Sequence, residues 1–179
     1  MLVKIISSGQ NRIERIALDC ADAAGIEWGG WTTQHLLEQS GHIPKKYLRS
    51  DNNNGLLETD STRPMRAVYK NIEDAHCTLI VYHSAILPPR VKSVITQSRM
   101  LGKPYYISSP TQTYHVQQVV KLVIESGYEI LNIVSDDPDG RKVFIEHPET
   151  LFSGIISGCQ QYELFQIKIW NSRSSSKGK

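Results

Sequence analysis

The 179-residue sequence has few cysteines, little net charge and no long apolar segment. Its three cysteines, Cys20, Cys77 and Cys159, lie far apart within apolar stretches, which predicts buried free thiols in a reducing compartment and excludes a disulfide framework. The net charge of +2 is too small to mark a dedicated nucleic-acid-binding domain. No apolar run approaches the roughly 18 residues of a membrane span, and the apolar start is too short for a signal peptide. We therefore expect a cytoplasmic protein.

The composition is that of a globular protein. Hydrophobic residues make up 40% of the chain and charged residues 21%, both close to globular averages. A chain of this length buries enough surface to form one core without disulfides or metal. We predict a single domain over residues 1–171, followed by a disordered polar and basic tail over residues 172–179.

Short apolar runs alternate along the chain with segments whose apolar residues recur at helical spacing. The runs Leu2–Ile6, Ile26–Trp28, Cys77–Tyr82, Tyr105–Ile107 and Ile130–Val134 are predicted strands. Strands that alternate with helices indicate βαβ units. We predict a Rossmann-like, doubly wound α/β fold, in which a mainly parallel sheet of about five strands has helices on both faces.

The first candidate site is the polar segment between the first strand and the first helix. Asn11 is the predicted N-cap, and Glu14 lies where its carboxylate can reach back to the Asn11 amide. Amide groups at such a helix start stabilise an anion, although the two common glycine-rich phosphate fingerprints are absent. A tight turn that only caps the helix is the alternative. The candidate ligand-binding residues are Ser8, Gly9, Gln10, Asn11, Arg12 and Arg15.

Two further loops are expected at the same edge of the sheet, because ligands bind beyond the carboxyl ends of parallel strands. Gly29 and Gly30 leave room for a ligand and Trp31 could stack on a base, the alternative being a glycine turn with a packed indole. His83 and Ser84 follow the strand Cys77–Tyr82, and His83 could contact a phosphate.

Neither catalysis nor metal binding is predicted from the residues themselves. His83 has no evident partner for acid–base chemistry, and a lone histidine at a strand end is more often structural. The acidic segment 135–146 has some of the spacing of a calcium loop, but it begins with a serine and follows a predicted strand. We interpret it as a solvated turn, and predict no catalytic residue and no metal site.

Several short motifs occur in one order along residues 3–134. They are Ser7–Arg15 with Ala17-Leu18-Asp19, Gly29-Gly30-Trp31, Gly41-His42-Ile43-Pro44 with Tyr47, Asn71-Ile72 with Thr78-Leu79-Ile80, Gly102-Lys103-Pro104, and Leu131-Asn132-Ile133. In this order they resemble the molybdenum-carrier family, a branch of the Rossmann-like superfamily that includes the Lonely-guy and DprA-like proteins. The resemblance implies a homodimer formed through helices beside the sheet, and a molybdenum cofactor or a nucleotide as the bound group.

The chain departs from the family at anion-contacting positions. The second glycine of the family's SGGQ motif is Ser8, and Leu87-Pro88-Pro89-Arg90 lies near the place of its glycine-rich loop. Proline has no N–H to donate there. We predict non-catalytic binding of a nucleotide or another phosphate- or oxyanion-bearing ligand. The alternatives are a Lonely-guy-type nucleotide phosphoribohydrolase and a degenerate interaction subunit; the weak net charge disfavours nucleic acid as the partner.

Overall fold

A computed structural model of the chain describes residues 1–34, 43–47, 54–82, 86–108, 113–136 and 147–176. The strands within these residues are β1 (Lys4–Ser7), β2 (Glu27–Thr32), β3 (Gly55–Glu58), β4 (Cys77–Val81), β5 (Tyr105–Ser108) and β6 (Ile130–Ser135). The helices are α1 (Arg12–Ala23), α2 (Pro64–Asp74), α3 (Pro89–Met100), α4 (Thr113–Glu125) and α5 (Pro148–Ser176), together with a 3-10 turn at Lys45–Tyr47.

All neighbouring strands in the sheet are parallel, and their order is β3-β2-β1-β6-β4-β5. Helices α1, α4 and α5 pack on one face of the sheet, and α2 and α3 pack on the other. The predicted Rossmann-like, doubly wound fold is therefore confirmed, with six strands in the described residues where we predicted about five. The additional strand, β3, has only four residues and follows a segment rich in breakers, so the sequence pattern does not reveal it.

The burial of each strand follows its place in the sheet. Every residue of β4 is buried, because β4 lies between two other strands and has helices on both faces. Ile5 and Leu131 of the adjacent strands β1 and β6 pair in register, and both belong to the core under α1, α4 and α5. On the other face, Val68 and Ile72 of α2 pack with Val94 of α3.

Strand β2 contains the two glycines that we expected in a loop after it. Gly29 pairs with Gly55 of β3, and a Cβ on Gly29 would lie 2.4 Å from the Gly55 carbonyl oxygen. Gly30 has a φ of +123°, and a Cβ there would lie 2.6 Å from the carbonyl oxygen of Ser7. The glycines therefore allow close approach of neighbouring strands. The loop predicted at Gly29, Gly30 and Trp31 is corrected, because these residues belong to β2, which ends at Thr32.

Helix α5 is longer than the sequence pattern indicates. It continues through 29 residues to Ser176, past the predicted domain end at residue 171, and only residues 177–179 of the predicted tail lie outside the described residues. No helix in the described part of the chain combines the length and the apolar character needed to cross a membrane. The three cysteines are free thiols, of which Cys77 and Cys159 are buried and Cys20 is half-buried.

Candidate functional site

The candidate site lies where the chain leaves the middle of the sheet in two directions. Helix α1 follows β1 onto one face, and α3 follows β4 onto the opposite face, with β6 between these two strands. The crevice at such a divergence, beyond the carboxyl ends of the strands, is the usual ligand-binding place in open α/β sheets. The first turns of α1 and α3 border this crevice.

Glu14, in the first turn of α1, is the most buried charged side chain of the crevice, with 0% exposure. Its carboxylate accepts hydrogen bonds from Ser8 Oγ (2.5 Å), from the Gln10 amide (3.1 Å) and from the Ser135 amide (3.2 Å). Asn11 is the N-cap, as predicted, since its Oδ1 accepts from the Glu14 amide at 3.0 Å. The carboxylate of Glu14, however, accepts from Gln10 instead of Asn11, because the side chain turns inward to the sheet.

Arg90, in the first turn of α3, completes this cluster from the other helix. Its Nη2 donates to Glu14 Oε1 at 2.8 Å, its Nη1 to Gln10 Oε1 at 3.0 Å, and its Nε to the Ser135 carbonyl at 3.1 Å. The Arg90 side chain is 18% exposed. Hydrogen bonds between ionised groups are stronger than those between neutral groups. The Glu14–Arg90 ion pair therefore holds the first turns of α1 and α3 together. The predicted site residues did not include Arg90, and its one signal in the sequence is a basic residue that opens a helix after the most buried strand.

At this edge of the sheet, four strands end with a serine or a threonine. Ser7, Thr32, Ser108 and Ser135 are the last residues of β1, β2, β5 and β6, and all four are buried. Within the described residues, the hydroxyls of Thr32, Ser108 and Ser135 have no hydrogen-bond partner. A buried polar group without a partner costs about 1–3 kcal/mol, and in native proteins water or a ligand usually supplies the partner. Ser135 is the one that belongs to the Glu14–Arg90 cluster.

The predicted loop residues hold the crevice together. Gln10 Nε2 donates to Thr33 Oγ1 at 2.8 Å and to the Pro64 carbonyl at 3.0 Å, which connects the loop to β2 and α2. Asn11 Nδ2 donates to the Ser135 carbonyl at 3.0 Å. Ser8, Gln10 and Asn11 therefore all contact the Glu14–Arg90 cluster or its neighbours, whereas their contact with a ligand stays a prediction.

The remaining loop residues have different surroundings. Gly9 has a φ of +63°, and a Cβ there would lie 2.7 Å from Leu56 Cδ1, so a larger residue would strain the turn itself. Arg15 Nη1 donates to the Gly9 carbonyl at 3.0 Å. The Arg12 side chain is half-exposed, and its Nη2 lies 4.0 Å from Glu149 Oε1. Arg15 thus supports the backbone of the loop, and Arg12 remains at the surface.

The Trp31 indole lies away from the crevice. Its Nε1 donates to Asp74 Oδ2 at 2.7 Å, and Lys70 Nζ lies 4.1 Å from the centre of its ring. It borders a cavity of about 380 Å³ whose other lining residues include Lys4 and Glu27, at the amino ends of β1 and β2. The side chain beyond the end of β2 that reaches the first loop is therefore Thr33, and the expected convergence of Trp31 with that loop is corrected.

The remaining sequence predictions concern His83, Ser84 and metal binding. His83 and Ser84 lie outside the described residues. The residues that are described contain no group of three or more histidine, cysteine, aspartate or glutamate side chains that could hold a metal ion.

Comparison with known proteins connects this fold to a family. A family model for the circularly permutated YpsA SLOG family matches residues 5–143. Among solved structures, the chain is similar to one from Syntrophus aciditrophicus named “Putative molybdenum carrier protein”, with a TM-score of 0.67, 21% sequence identity, and coverage of 88% of this chain and 94% of that chain. At this identity the likeness shows a shared fold. No curated protein matches the chain.

The family match covers most of the chain and reaches all six strands of the described sheet, beginning at the second residue of β1. The match to this family, together with the fold shared with the solved structure, confirms the resemblance predicted from the motifs. The chain belongs to the circularly permutated YpsA SLOG family.

Proposed function

We propose that the protein binds a small ligand that carries a phosphate or another oxyanion, such as a nucleotide, and does not turn it over. The proposed place is the crevice between the carboxyl ends of β1 and β6. The observation that carries the proposal is the Ser135 hydroxyl, which is buried without a described partner beside the Arg90 guanidinium. The solved neighbour is named as a molybdenum carrier, which adds molybdate and the molybdenum cofactor to the oxyanions we propose.

The donors of the crevice support an anionic ligand. A guanidinium has five N–H donors, and the four hydrogen bonds of Arg90 to Glu14, Ser8, Gln10 and Ser135 use four of them. The fifth N–H, the Ser135 hydroxyl and the amides of the first turn of α1 would then share the oxyanion. Pro88 and Pro89 stand at the start of α3 and have no N–H, so the side-chain donor that we propose for α3 is the Arg90 guanidinium.

The surroundings of Glu14 support binding without catalysis. A Lonely-guy-type reaction needs a carboxylate that can reach the ribose of the substrate. The Glu14 carboxylate is fully buried and accepts four hydrogen bonds, from Ser8, Gln10, Ser135 and Arg90. Its oxygens are therefore occupied by the protein, and we interpret Glu14 as the residue that positions Arg90.

The test uses two serines that differ in place but not in burial. Ser135→Ala and Ser108→Ala each remove a buried hydroxyl without a described partner, at the ends of β6 and β5, so neither change should impair folding. Calorimetric titration with AMP, inorganic phosphate and sodium molybdate should show binding of at least one to the native chain. We expect Ser135→Ala to weaken it about tenfold and Ser108→Ala to leave it unchanged.

Two results would contradict the proposal. If none of the three probes binds the native chain, or if both serine variants bind equally well, the crevice is not the site. Release of free adenine from AMP above background would contradict the non-catalytic part. Absence of binding would favour the second candidate, a degenerate interaction subunit, because Glu14 already accepts from the Gln10 and Ser135 amides that an anion would otherwise use.

We propose that the protein is a cytoplasmic homodimer. The three free thiols support the reducing compartment, and the family resemblance supports the dimer. Helix α2 directs Val68 and Ile72 into the core and has Met65 and Tyr69 packed partly against it. Its apolar side chains are therefore largely used within the chain, and a different surface is needed for the interface.

A further inference from the structure

The distal part of α5 exposes large apolar side chains. Leu164 is 60% exposed, Phe165 59%, Ile167 56% and Tyr162 43%. They point in different directions around the helix, because successive residues turn by 100°. A helix that is apolar on several sides is normally buried, and a helix that lies on a membrane surface has its apolar residues on one side. The arrangement therefore indicates burial between protein surfaces.

A groove for an apolar side chain runs along the same helix. Gly154 and Gly158 of α5 face Val116 and Val120 of α4, and a Cβ on Gly158 would lie 2.7 Å from Val120 Cγ2. The groove between the two helices encloses about 350 Å³ and ends at Tyr162. A second groove, of about 270 Å³, lies on the other side of Tyr162 and is bordered by Ile167. Both grooves and the exposed side chains thus share one helix.

Phe165 projects from the side of α5 on which the glycines lie. It follows Gly158 by seven residues and Gly154 by eleven, and both spacings bring it within about 20° of the glycine positions around the helix. Phe165 is therefore roughly 10 Å farther along the axis than Gly158, on the same line. A two-fold axis across α5 would place Phe165 of each copy opposite the α4–α5 groove of the other copy. The same two contacts would then form twice, as a closed symmetric dimer requires.

We propose that a second copy of this chain packs antiparallel along α5, so that each Phe165 enters the α4–α5 groove of the other copy. Phe165 and Leu164 lie on neighbouring sides of α5 and leave on the order of 250 Å² uncovered, about a third of the roughly 800 Å² that each partner buries in a stable interface. The walls of the α4–α5 groove supply further apolar area. This proposal rests on the homodimer proposed above, whose interface it locates, and is independent of the ligand site.

The first test measures the mass of the full chain in solution. Sedimentation at micromolar concentration with a reductant should give twice the chain mass of 20.2 kDa. Phe165→Asp should raise the dimer dissociation constant roughly 100-fold or more, with an unchanged circular dichroism spectrum because the side chain is exposed. Met100→Asp, at a position 77% exposed at the end of α3, is the matched control and should remain dimeric. A monomeric native chain overturns both the dimer and its interface; a dimer that persists in Phe165→Asp overturns the interface alone.

The second test asks where Phe165 lies. Gln117 borders the α4–α5 groove, next to Val116, which faces Gly154. Within one chain, position 165 is therefore about 16 Å from position 117 along the helix axis, too far for a disulfide. The double variant Phe165→Cys/Gln117→Cys should form an intermolecular disulfide between these positions, detectable by peptide mass mapping, and Phe165→Cys/Met100→Cys should not. Failure of the first variant to cross-link, or equal cross-linking of both, would overturn the proposed arrangement.

Discussion

The side chain of Asn71 acts as a strand partner for the backbone of Trp31. Its Oδ1 accepts from the Trp31 amide at 2.7 Å, and its Nδ2 donates to the Trp31 carbonyl at 2.9 Å. Asn71 belongs to α2 and is fully buried. Gly30 makes room for it, since a Cβ there would lie 2.7 Å from Asn71 Oδ1. One amide thus connects α2 to the middle of β2 with two hydrogen bonds.

Replacing Asn71 should therefore destabilise the fold strongly. In Asn71→Leu both backbone groups of Trp31 lose their partner in a part-buried place, and we expect the free energy of unfolding to fall by about 2–4 kcal/mol. Glu73→Leu, at an exposed position on the same helix, should change it by less than about 0.5 kcal/mol. Urea denaturation measures both. A loss of under 1 kcal/mol in Asn71→Leu would be incompatible with this role.

Two glycines with positive φ should respond very differently to alanine. Gly30→Ala places a methyl group 2.6 Å from the Ser7 carbonyl oxygen, at a φ of +123°. The backbone cannot yield there without disturbing β1, so we expect a loss of more than about 3 kcal/mol or failure to fold. Gly102→Ala, with a φ of +63° and no heavy atom within 4 Å of the added carbon, should lose only about 1–2 kcal/mol. Similar losses in thermal denaturation of the two variants would contradict the close approach of β1 and β2.

The Glu14–Arg90 pair should be strongly coupled. Arg90→Met leaves the Glu14 carboxylate buried without its cation, and we expect a loss of about 3–5 kcal/mol. In Glu14→Gln/Arg90→Met the uncompensated charge is absent, so part of this stability should return. The exposed pair Lys121–Glu125, at 3.8 Å, is the control, and Lys121→Met should cost less than about 0.5 kcal/mol. Strictly additive effects of the two substitutions in the crevice, measured by chemical denaturation, would argue against the pairing.

Stability should fall in alkaline solution because of two buried thiols. Burial raises the pKa of Cys77 and of Cys159 from 9.0 to about 11. Between these values the unfolded chain loses thiol protons that the folded chain keeps, so the unfolded state is favoured as pH rises. The free energy of unfolding is not lowered by these thiols below pH 9. Between pH 9 and about pH 11 it falls by about 2–3 kcal/mol per thiol.

Urea denaturation in the presence of a reductant, at pH 7, 9 and 10.5, measures this decline. The variant Cys77→Ala/Cys159→Ala has no thiols at these positions, and its stability should fall less steeply between pH 9 and 10.5 although it is lower throughout. The same slope in the variant and the native chain would assign the alkaline loss to other groups.

The features that the sequence predicts are those that depend on residues close together along the chain. The N-cap at Asn11 follows from its spacing to the apolar face of α1, and β4 follows from the uninterrupted apolar run after Cys77. The parallel sheet follows from the alternation of these elements. The short strand β3 is not predicted, because it forms by pairing Gly55 with Gly29 and its own four residues have no distinctive pattern.

The main contact of the candidate site could not be predicted in the same way. Glu14 and Arg90 are 76 residues apart, and they meet only because the strand order brings the starts of α1 and α3 to one crevice. A capping role for Glu14 is equally consistent with its local sequence. Trp31 shows the same limit, because its indole contacts Lys70 and Asp74 of α2, and the pattern of β2 does not specify the direction of its side chain.

Of the strands in the described residues, the last to be synthesised is the one that joins the two halves of the sheet. β6 lies between β1 and β4, so until residue 135 has left the ribosome β1–β2–β3 and β4–β5 are separate ribbons with unpaired inner edges. Such edges favour pairing with other chains, and contacts so distant in sequence form slowly. A nascent chain of this protein should therefore be at greatest risk of aggregation before β6 emerges, and substitutions in Leu131–Val134 should reduce the yield of folded protein more than its final stability.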